Sequence, residues 1–408
     1  MTITIVGCGA AGSAISEQIT RRNNIRHIKF VDSNQKKIKK QINFLKKINN
    51  DITYDSICAN VNNPKKIEDF LEEEKLVINS ASPICNIPLL KASINTNTNY
   101  MDLASDPFDY PDTMGTSFDD LLKFNNHLKE KNLIALTNAG FSPGFTDLLC
   151  KHIIETNNFD FIEKINIYFG EMINAEKMVV SWSPNVLLLE SILPATVYRN
   201  NRITSLKLEE GFKKVTFPPP IGDLKLNIFN GHPELKTLPK YLNIPVKKIE
   251  IGGGYSFNGL ELNDFIVCAI RNSVKKSSNL NGNIFDILAN EFEPLNKFIE
   301  NYECGIIKNE FVTCIIQIKG KKNNKSIEYY GIVEHNIDEI YKNFRSGSVA
   351  AYLVSFFPTV VSEKIVLDEI NNKGVIASPA LKSSGEIIKE IKNMGLNLKE
   401  TIKSYQTG

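Results

Sequence analysis

Three glycines and one aspartate carry the first chemical signal in this chain. Gly7, Gly9 and Gly12 stand in the stretch VGCGAAG, and Asp32 lies 20 residues after Gly12. A glycine turn of this spacing, entered from an apolar run and left on a helix-like pattern, suits a bound diphosphate. Gly7 makes the tight turn, Gly9 lets backbone amides reach the phosphates, and Gly12 lets the helix lie close on the strand. The helix opening at Ala10 and Ala11 adds partial positive charge and unsatisfied N–H groups. The same small residues also serve plain helix–sheet packing. Asp32 ends the second apolar run, where a carboxylate accepts a ribose 2′-hydroxyl and repels a 2′-phosphate. It favours NAD(H). Ser33, Lys36 and Lys37 lie just beyond and offer a counterweight to that repulsion, so NADP(H) stays open.

Those residues need a scaffold. Short apolar runs recur at 3–6, 27–31, 52–59, 76–80, 100–103 and 133–137, separated by segments long enough for crossover helices. Continuous apolar runs bounded by turn residues predict strands buried on both faces of a parallel sheet. The fold class expected is α/β, with an N-terminal Rossmann dinucleotide-binding domain over 1–145. Ser80, Ala81 and Ser82 then end the fourth strand at the switch point, open to the nicotinamide half of a dinucleotide. Asn60 and Val61 follow the third strand, towards the adenine half.

From about residue 160 the texture changes. Alternating segments KINIYFGEM, KMVVSW, FVTCIIQIKG and SIEYYGIVE predict strands, with FPPPIGD and IGGGYSFNG as loops between them. A second α+β domain with a mostly antiparallel sheet is expected over 146–345. After it, Val349, Tyr352, Leu353 and Phe356 fall at helical spacing, and GEIIKEIKNMGL is amphipathic.

Bulk properties narrow the function classes. The 408 residues carry 48 Lys+Arg and 46 Asp+Glu, a net charge of +2 that recommends no nucleic-acid partner. The seven cysteines are scattered without a C-x-x-C pair, which fits a reducing compartment and predicts neither disulfides nor a zinc site. No leader-like start and no apolar run of roughly 20 residues is found, so a cytoplasmic protein off the membrane is expected. G-x-S-x-G and the Walker pattern are absent, and the five histidines are dispersed, so no metal centre is expected.

Longer motifs add a resemblance. VGCGAAGSAIS, LVINSASPICNIPLLKASINTNTNYMDLASD, TNAGFSPGFTDLL and VVSWSPNVLLLESILPATVYRNNRI, with looser echoes in GHPELKTLP and NKGVIASPAL, resemble the saccharopine dehydrogenase-like family. That family includes saccharopine reductases and lysine dehydrogenase-like relatives. The resemblance is strong to about residue 205 and thinner beyond. It implies that the segment 346–408 returns to complete the nucleotide domain. It also implies hydride transfer at a C–N bond, amine or imine, of an amino-acid-derived or polyamine-like substrate, and a homodimer through the second domain's sheet.

The same resemblance nominates site residues. Lys91, in LLKASI, matches a lysine of saccharopine reductases that would donate a proton or hold a substrate carboxylate. By residue type alone it is equally a surface lysine on an amphipathic helix. Ser142 stands where the reductases resemble DPG; a hydroxyl is no base near neutral pH, though it positions water or a carboxylate. Asp147 lies three residues past Gly144. It is either a nearby acid or an ordinary helix N-terminal carboxylate. Trp182 and Ser183, from SWSP, would line a substrate pocket, with a core aromatic as the other reading. Glu171 and Glu176, flanking the turn before SWSP, read first as solvated loop carboxylates and otherwise as acids that would recognise an amine, and His232, in GHPELKTLP, completes the candidate set. The leading expectation is thus an NAD(P)-dependent oxidoreductase. A catalytically silent dinucleotide-binding regulatory or scaffold protein of the same fold is the alternative.

Overall fold

The computed structural model describes residues 2–105, 117–262, 291–323 and 325–406. The chain divides into two units. One takes Met1–His152, Lys236–Leu242 and Tyr352–Leu396, the other Ile153–Leu235, Asn243–Ala351 and Asn397–Gly408.

The first unit is built on a parallel sheet of β1 (Thr2–Val6), β2 (His27–Asp32), β3 (Thr53–Cys58), β4 (Leu76–Asn79), β5 (Asn99–Asp102), β6 (Ile134–Thr137) and β16 (Gly374–Ala377). Their order is β16-β6-β5-β4-β1-β2-β3, so the winding reverses between β1 and β4. β4, β6 and β16 are buried at every position. Such strands need helices on both faces, which is why the apolar runs are continuous rather than alternating. The helices supply this cover: α1 (Ala10–Arg22), α2 (Gln35–Ile48), α3 (Pro64–Leu71) and α4 (Asn86–Asn95) follow successive strands. Asn34 and Asn63 accept backbone N–H groups at the starts of α2 and α3, and Pro64 opens α3. Arg21 and Arg22 close α1 where cations suit the helix dipole. Register sets Val6 beside Val31 and Asn79, so the residues just beyond them share one sheet edge.

The second unit carries a ten-stranded sheet. Its central path joins β10 (Phe212–Thr216), β11 (Asp223–Ile228), β12 (Lys248–Phe257), β7 (Phe161–Ala175), β14 (Ile307–Lys322), β15 (Lys325–Asn336) and β17 (Leu398–Gln406). Beside this path, β8 (Thr196–Arg199) pairs with β9 (Arg202–Ser205) and β12, and β13 (Leu260–Glu261) pairs with β12. The pairing is antiparallel except between β7 and β12, which makes an α+β unit with a mostly antiparallel sheet.

Three sequence expectations differ from what is seen. IGGGYSFNG is not a loop, because most of it belongs to β12. A Cβ on Gly252 would lie 2.5 Å from the Asn227 carbonyl, and one on Gly253 would lie 2.6 Å from the Phe229 ring. Glycine is there for close packing of a strand, not for a turn. KMVVSW forms no strand. Val180 instead packs with Leu187, Leu188, Tyr255, Leu262 and Phe292, and that burial replaces a ladder. The last residues leave the first unit: β17 pairs with β15 from Leu398 opposite Val333 to Gln406 opposite Lys325.

Among the described residues one helix, Val349–Val366, is long and apolar enough to cross a membrane, and 83% of its length is buried in the protein. Cys8, Cys58, Cys85, Cys150, Cys304 and Cys314 are free thiols; Cys268 lies outside the described residues.

Candidate functional site

At the carboxyl edge of the first sheet the glycine turn is held from two sides. The Ser80 hydroxyl reaches the carbonyls of Val6 at 2.8 Å and Gly7 at 3.0 Å. Asp32 Oδ2 accepts the Cys8 N–H at 2.7 Å, and its Oδ1 accepts the Asn34 N–H at 2.7 Å. Gly7 has φ +100°, a conformation that disfavours any side chain, and a Cβ there would stand 3.0 Å from the Ala81 nitrogen. Gly12 is a contact residue, since its Cβ would fall 1.9 Å from the Gly7 carbonyl oxygen. Gly9 is different. A Cβ there would meet nothing within 4 Å, and no side chain caps the start of α1 at Gly9. The first turn, from Ala10 and Ala11 onward, carries no acid. Open space over free helix amides is what a dinucleotide diphosphate requires, so the residues fit that group. Burial and the neighbouring Asp32 carboxylate push the Cys8 thiol up to about 12, which keeps it a neutral packing group.

Ser80, Ala81 and Ser82 join this edge, and a buried amide network fixes their loop. Asn79 Oδ1 accepts the Ala81 N–H at 3.0 Å, and Asn79 Nδ2 donates to Asn86 Oδ1 at 2.6 Å. The Tyr100 hydroxyl also donates to Asn86 Oδ1, at 3.0 Å, while Asn86 Nδ2 reaches the Ala104 carbonyl at 3.1 Å. Asn86 thus ties the ends of β4 and β5 to the start of α4. Asn86→Leu strands two donors and one acceptor in the interior, and is expected to cost about 1–3 kcal/mol in urea unfolding. A variant as stable as the parent would remove Asn86 from this role.

The remaining candidates of the first unit disperse. Ser33 and Asn60 are exposed, with Asn60 Oδ1 accepting the Asn62 N–H in a local turn. Val61 and Lys91, nominated for different tasks, line one groove between α3 and α4 with Pro64, Lys65 and Ile87. Lys91 is exposed there, partway along α4. Ser142 is half-buried in the turn between Gly140 and Gly144 after β6. Asp147 is wholly enclosed, accepting the Thr237 hydroxyl at 3.2 Å, and so braces the Phe145–Thr156 helix against the Lys236–Leu242 segment.

In the second unit a different chemistry gathers. Glu171, on β7, is buried and accepts the Ser181 hydroxyl at 2.8 Å. Trp182 lies with its ring centroid 6.0 Å from that of Tyr255, the partner of Glu171 on β12. Ser183 starts the Pro184–Ile192 helix by accepting the Leu187 N–H at 3.1 Å. His232 pairs with fully buried Glu234 and stacks on Phe229 at 5.6 Å. Burial alone would lower the His232 pKa, but Glu234 and Glu190 outweigh it and hold the ring protonated to higher pH. Glu176, the other acid near Trp182, is exposed and pairs with Lys308 instead.

Two acids went unremarked in the sequence. Glu190 is the lone charge of the apolar helix segment PNVLLLESI, and burial pushes it up to about 8 against the opposing pull of His232. Its Oε2 is enclosed without a hydrogen-bond partner among the described residues, as is Asn227 Oδ1, and both residues line one small cavity with Ala195, Gly211 and Phe212. Glu310, on β14, is fully buried, and burial followed by the charge of Glu171 pushes its carboxyl well above the ordinary range. A single acid inside an apolar stretch was the available signal for Glu190, whereas Glu310 follows Lys308 and Asn309 and carried none. Tyr255 feels Glu190 and Glu171 together, so these groups share one electrostatic neighbourhood.

Known proteins show the same architecture. Among curated proteins, the carboxynorspermidine synthase of Vibrio cholerae serotype O1 is 22% identical over 266 residues, 62% of this chain and 63% of that protein. The carboxyaminopropylagmatine dehydrogenase of Synechocystis is 21% identical over 263 residues, 60% of each chain. The match therefore spans less than two thirds of either relative. Among solved structures, apo saccharopine dehydrogenase (L-Glu forming) of Saccharomyces cerevisiae superposes with a TM-score of 0.70 at 12% identity, covering 98% of this chain and 99% of that one. Homospermidine synthase of Legionella pneumophila, solved in complex with NAD, gives 0.68 at 14% identity, covering 100% of this chain and 91% of that one. Residues 3–136 match the saccharopine dehydrogenase NADP binding domain and residues 140–396 the saccharopine dehydrogenase C-terminal domain. With both domains matched in order along a doubly wound unit and a mostly antiparallel one, the chain belongs to the saccharopine dehydrogenase family.

Proposed function

We propose that this protein is an NAD(H)-dependent oxidoreductase that works at the C–N bond of a di- or polyamine-derived substrate. The observation that carries the reading is the set of Glu171 and Glu310, both buried, and Glu190, half-buried with its Oε2 enclosed, none with a Lys or Arg partner among the described residues. A substrate rich in carboxylates would call for buried cations, whereas enclosed acids with spare acceptor oxygens call for ammonium groups. The names of the two curated relatives, a carboxynorspermidine synthase and a carboxyaminopropylagmatine dehydrogenase, agree with an amine substrate.

A nicotinamide dinucleotide supplies hydride chemistry when bound. The backbone amides from Gly9 to Gly12 hold its diphosphate, and Asp32 accepts a ribose hydroxyl. Glu171 and Glu190 hold ammonium groups, with Glu190 Oε2 and Asn227 Oδ1 offering acceptors that no donor among the described residues uses. The Trp182 ring gives a cation an apolar, electron-rich face. Reduction of an imine puts a hydride on carbon and a proton on nitrogen, and His232 is the group suited to deliver that proton. Lys91, exposed between α3 and α4, is left to the protein surface in this scheme.

The test is NADH oxidation with 1,3-diaminopropane or 1,4-diaminobutane paired with carboxylate-bearing aldehydes, preceded by calorimetric titration of NADH and NADPH. NADH is expected to bind at least about tenfold more tightly than NADPH, because the Asp32 carboxylate meets a 2′-phosphate charge to charge. Turnover with diamines but not with monoamine amino acids supports the substrate class. Tight NADH binding with no turnover of any amine–carbonyl pair would instead favour a regulatory or scaffold protein.

A further inference from the structure

Glu171 and Glu310 stand on neighbouring antiparallel strands. Glu171 lies opposite Val312 and Glu310 opposite Ile173, so the two acids occupy diagonal positions on one face of the β7–β14 pair. Both are buried, at 6% and 0% exposure. Among the described residues each is held by neutral donors. Glu171 Oε2 takes the Ser181 hydroxyl at 2.8 Å, and the Ser181 carbonyl takes the Ser348 hydroxyl at 2.6 Å. Glu310 takes the Val349 N–H on both oxygens, at 3.1 and 2.9 Å, where the Val349–Val366 helix begins. The titratable groups around them are Tyr255 from β12 and, beyond it, Glu190 from the Pro184–Ile192 helix. Among the described residues no cation balances the pair.

Two enclosed carboxylates this close cannot both ionise without a positive charge between or beside them. The Val349 amide keeps Glu310 in place, but a neutral N–H does not cancel a full charge. We propose that Glu171 and Glu310 hold one proton between them in the free protein, and that a substrate ammonium docking on Glu171 expels it. This rests on the amine reading above. The balance is simple: the ammonium keeps its own protons, one carboxyl O–H bond breaks, and the proton passes to solvent. Glu310 is a positioning residue here. It does not hold the amine, but it sets how many protons the site must lose before an amine is bound. Because the bound site carries one more negative charge than the free site, a diamine gains more from the exchange than a monoamine. The device therefore selects for a second positive charge.

The experiment is calorimetric titration of the full chain, saturated with NAD, with 1,3-diaminopropane at pH 8 in two buffers of different ionisation enthalpy. Burial and the neighbouring charge make the proton belong to the pair rather than to one acid, and about one proton is expected to leave per amine bound. In Glu310→Gln the amide oxygen still accepts the Val349 N–H, so the helix start is kept. There the amine is expected to release about one proton fewer than in the parent, any remaining release belonging to Glu190, which burial holds near 8, and its apparent affinity should depend less steeply on pH between 7 and 9. Glu171→Gln should weaken the amine itself. Equal heats in both buffers for the parent protein would overturn the shared proton, as would full release in Glu310→Gln. Absence of any amine binding to the parent would instead remove the amine reading on which the inference stands, so the two failures are separable.

Discussion

Replacing Gly9 by alanine is expected to leave the melting temperature unchanged while weakening NADH binding by about tenfold or more; Gly12→Ala is expected to damage both. The difference lies in what each new methyl group would meet. A Cβ at Gly9 would meet no atom of the described residues beyond its chain neighbours within 4 Å, and the backbone φ of −83° suits alanine, so the fold has nothing to lose. The methyl group projects instead into space that a diphosphate must enter to reach the first amides of α1, and loss of that approach falls on the ligand alone. At Gly12 the methyl carbon would lie 1.9 Å from the Gly7 carbonyl oxygen and 2.5 Å from Ser80 Oγ. Neither neighbour is free to move, because Ser80 is committed to the Val6 and Gly7 carbonyls and Gly7 donates its N–H to Val31 at 2.8 Å. Overpacking of this kind costs about 1–3 kcal/mol, so the same clash that lowers stability also displaces the turn by which the dinucleotide would be held. Thermal unfolding with and without NADH separates the two effects. If Gly9→Ala bound NADH as the parent does, the glycine turn would be a packing device and the nucleotide reading would fail.

Glu190→Gln should do two opposite things. A carboxyl held near pKa 8 in the folded protein and near its ordinary value when unfolded binds more protons folded than unfolded across that interval. Stability then falls as pH rises from about 4.5 through 8, and stays low above it, by up to a few kcal/mol. Glutamine carries no titrating proton, so the variant should lose that slope. It should be at least as stable as the parent at pH 8, and no more stable at pH 5. Function moves the other way. A charge-assisted hydrogen bond to an enclosed carboxylate contributes about 1.5–3 kcal/mol, so the Michaelis constant for a diamine is expected to rise by roughly ten- to a hundredfold. Thermal melts at pH 5 and 8 and amine saturation curves read both effects. A variant less stable than the parent at pH 8 would mean that a partner already compensates the Glu190 charge. An unchanged Michaelis constant would mean that the amine sits elsewhere.

These two sites differ in how plainly the chain announces them. Gly7, Gly9, Gly12, Asp32 and the six apolar runs of the first unit were readable because each rests on local rules. A parallel strand buried on both faces must be apolar throughout, a tight turn between strand and helix needs glycine, and both requirements operate within a few residues. Trp182, Ser183 and His232 were nominated only beside a resemblance, and Glu171 only by its place next to a turn, since nothing in their own spacing defines a chemistry. Glycine misled where its cause was not local: Gly252, Gly253 and Gly254 look like a loop, yet they answer to Asn227, Phe229 and Leu226 on a neighbouring strand and the segment after it. KMVVSW misled because β-branched residues favour any half-buried surface, and here that surface is an apolar cluster rather than a ladder.

The amino-acid sequence by itself thus determined the doubly wound unit, the glycine turn at its sheet edge and the resemblance to the family to which the chain belongs. Tertiary structure decided which acids are enclosed. Whether a glutamate is a solvated surface charge like Glu176 or an enclosed group like Glu190 and Glu310 depends on burial and on the charges brought near it by other elements. Those terms are set by register between β7 and β14, and by what packs over the Pro184–Ile192 helix. Local propensity does not encode them, because the electrostatic cost of a buried charge arises only once distant segments have excluded water from it.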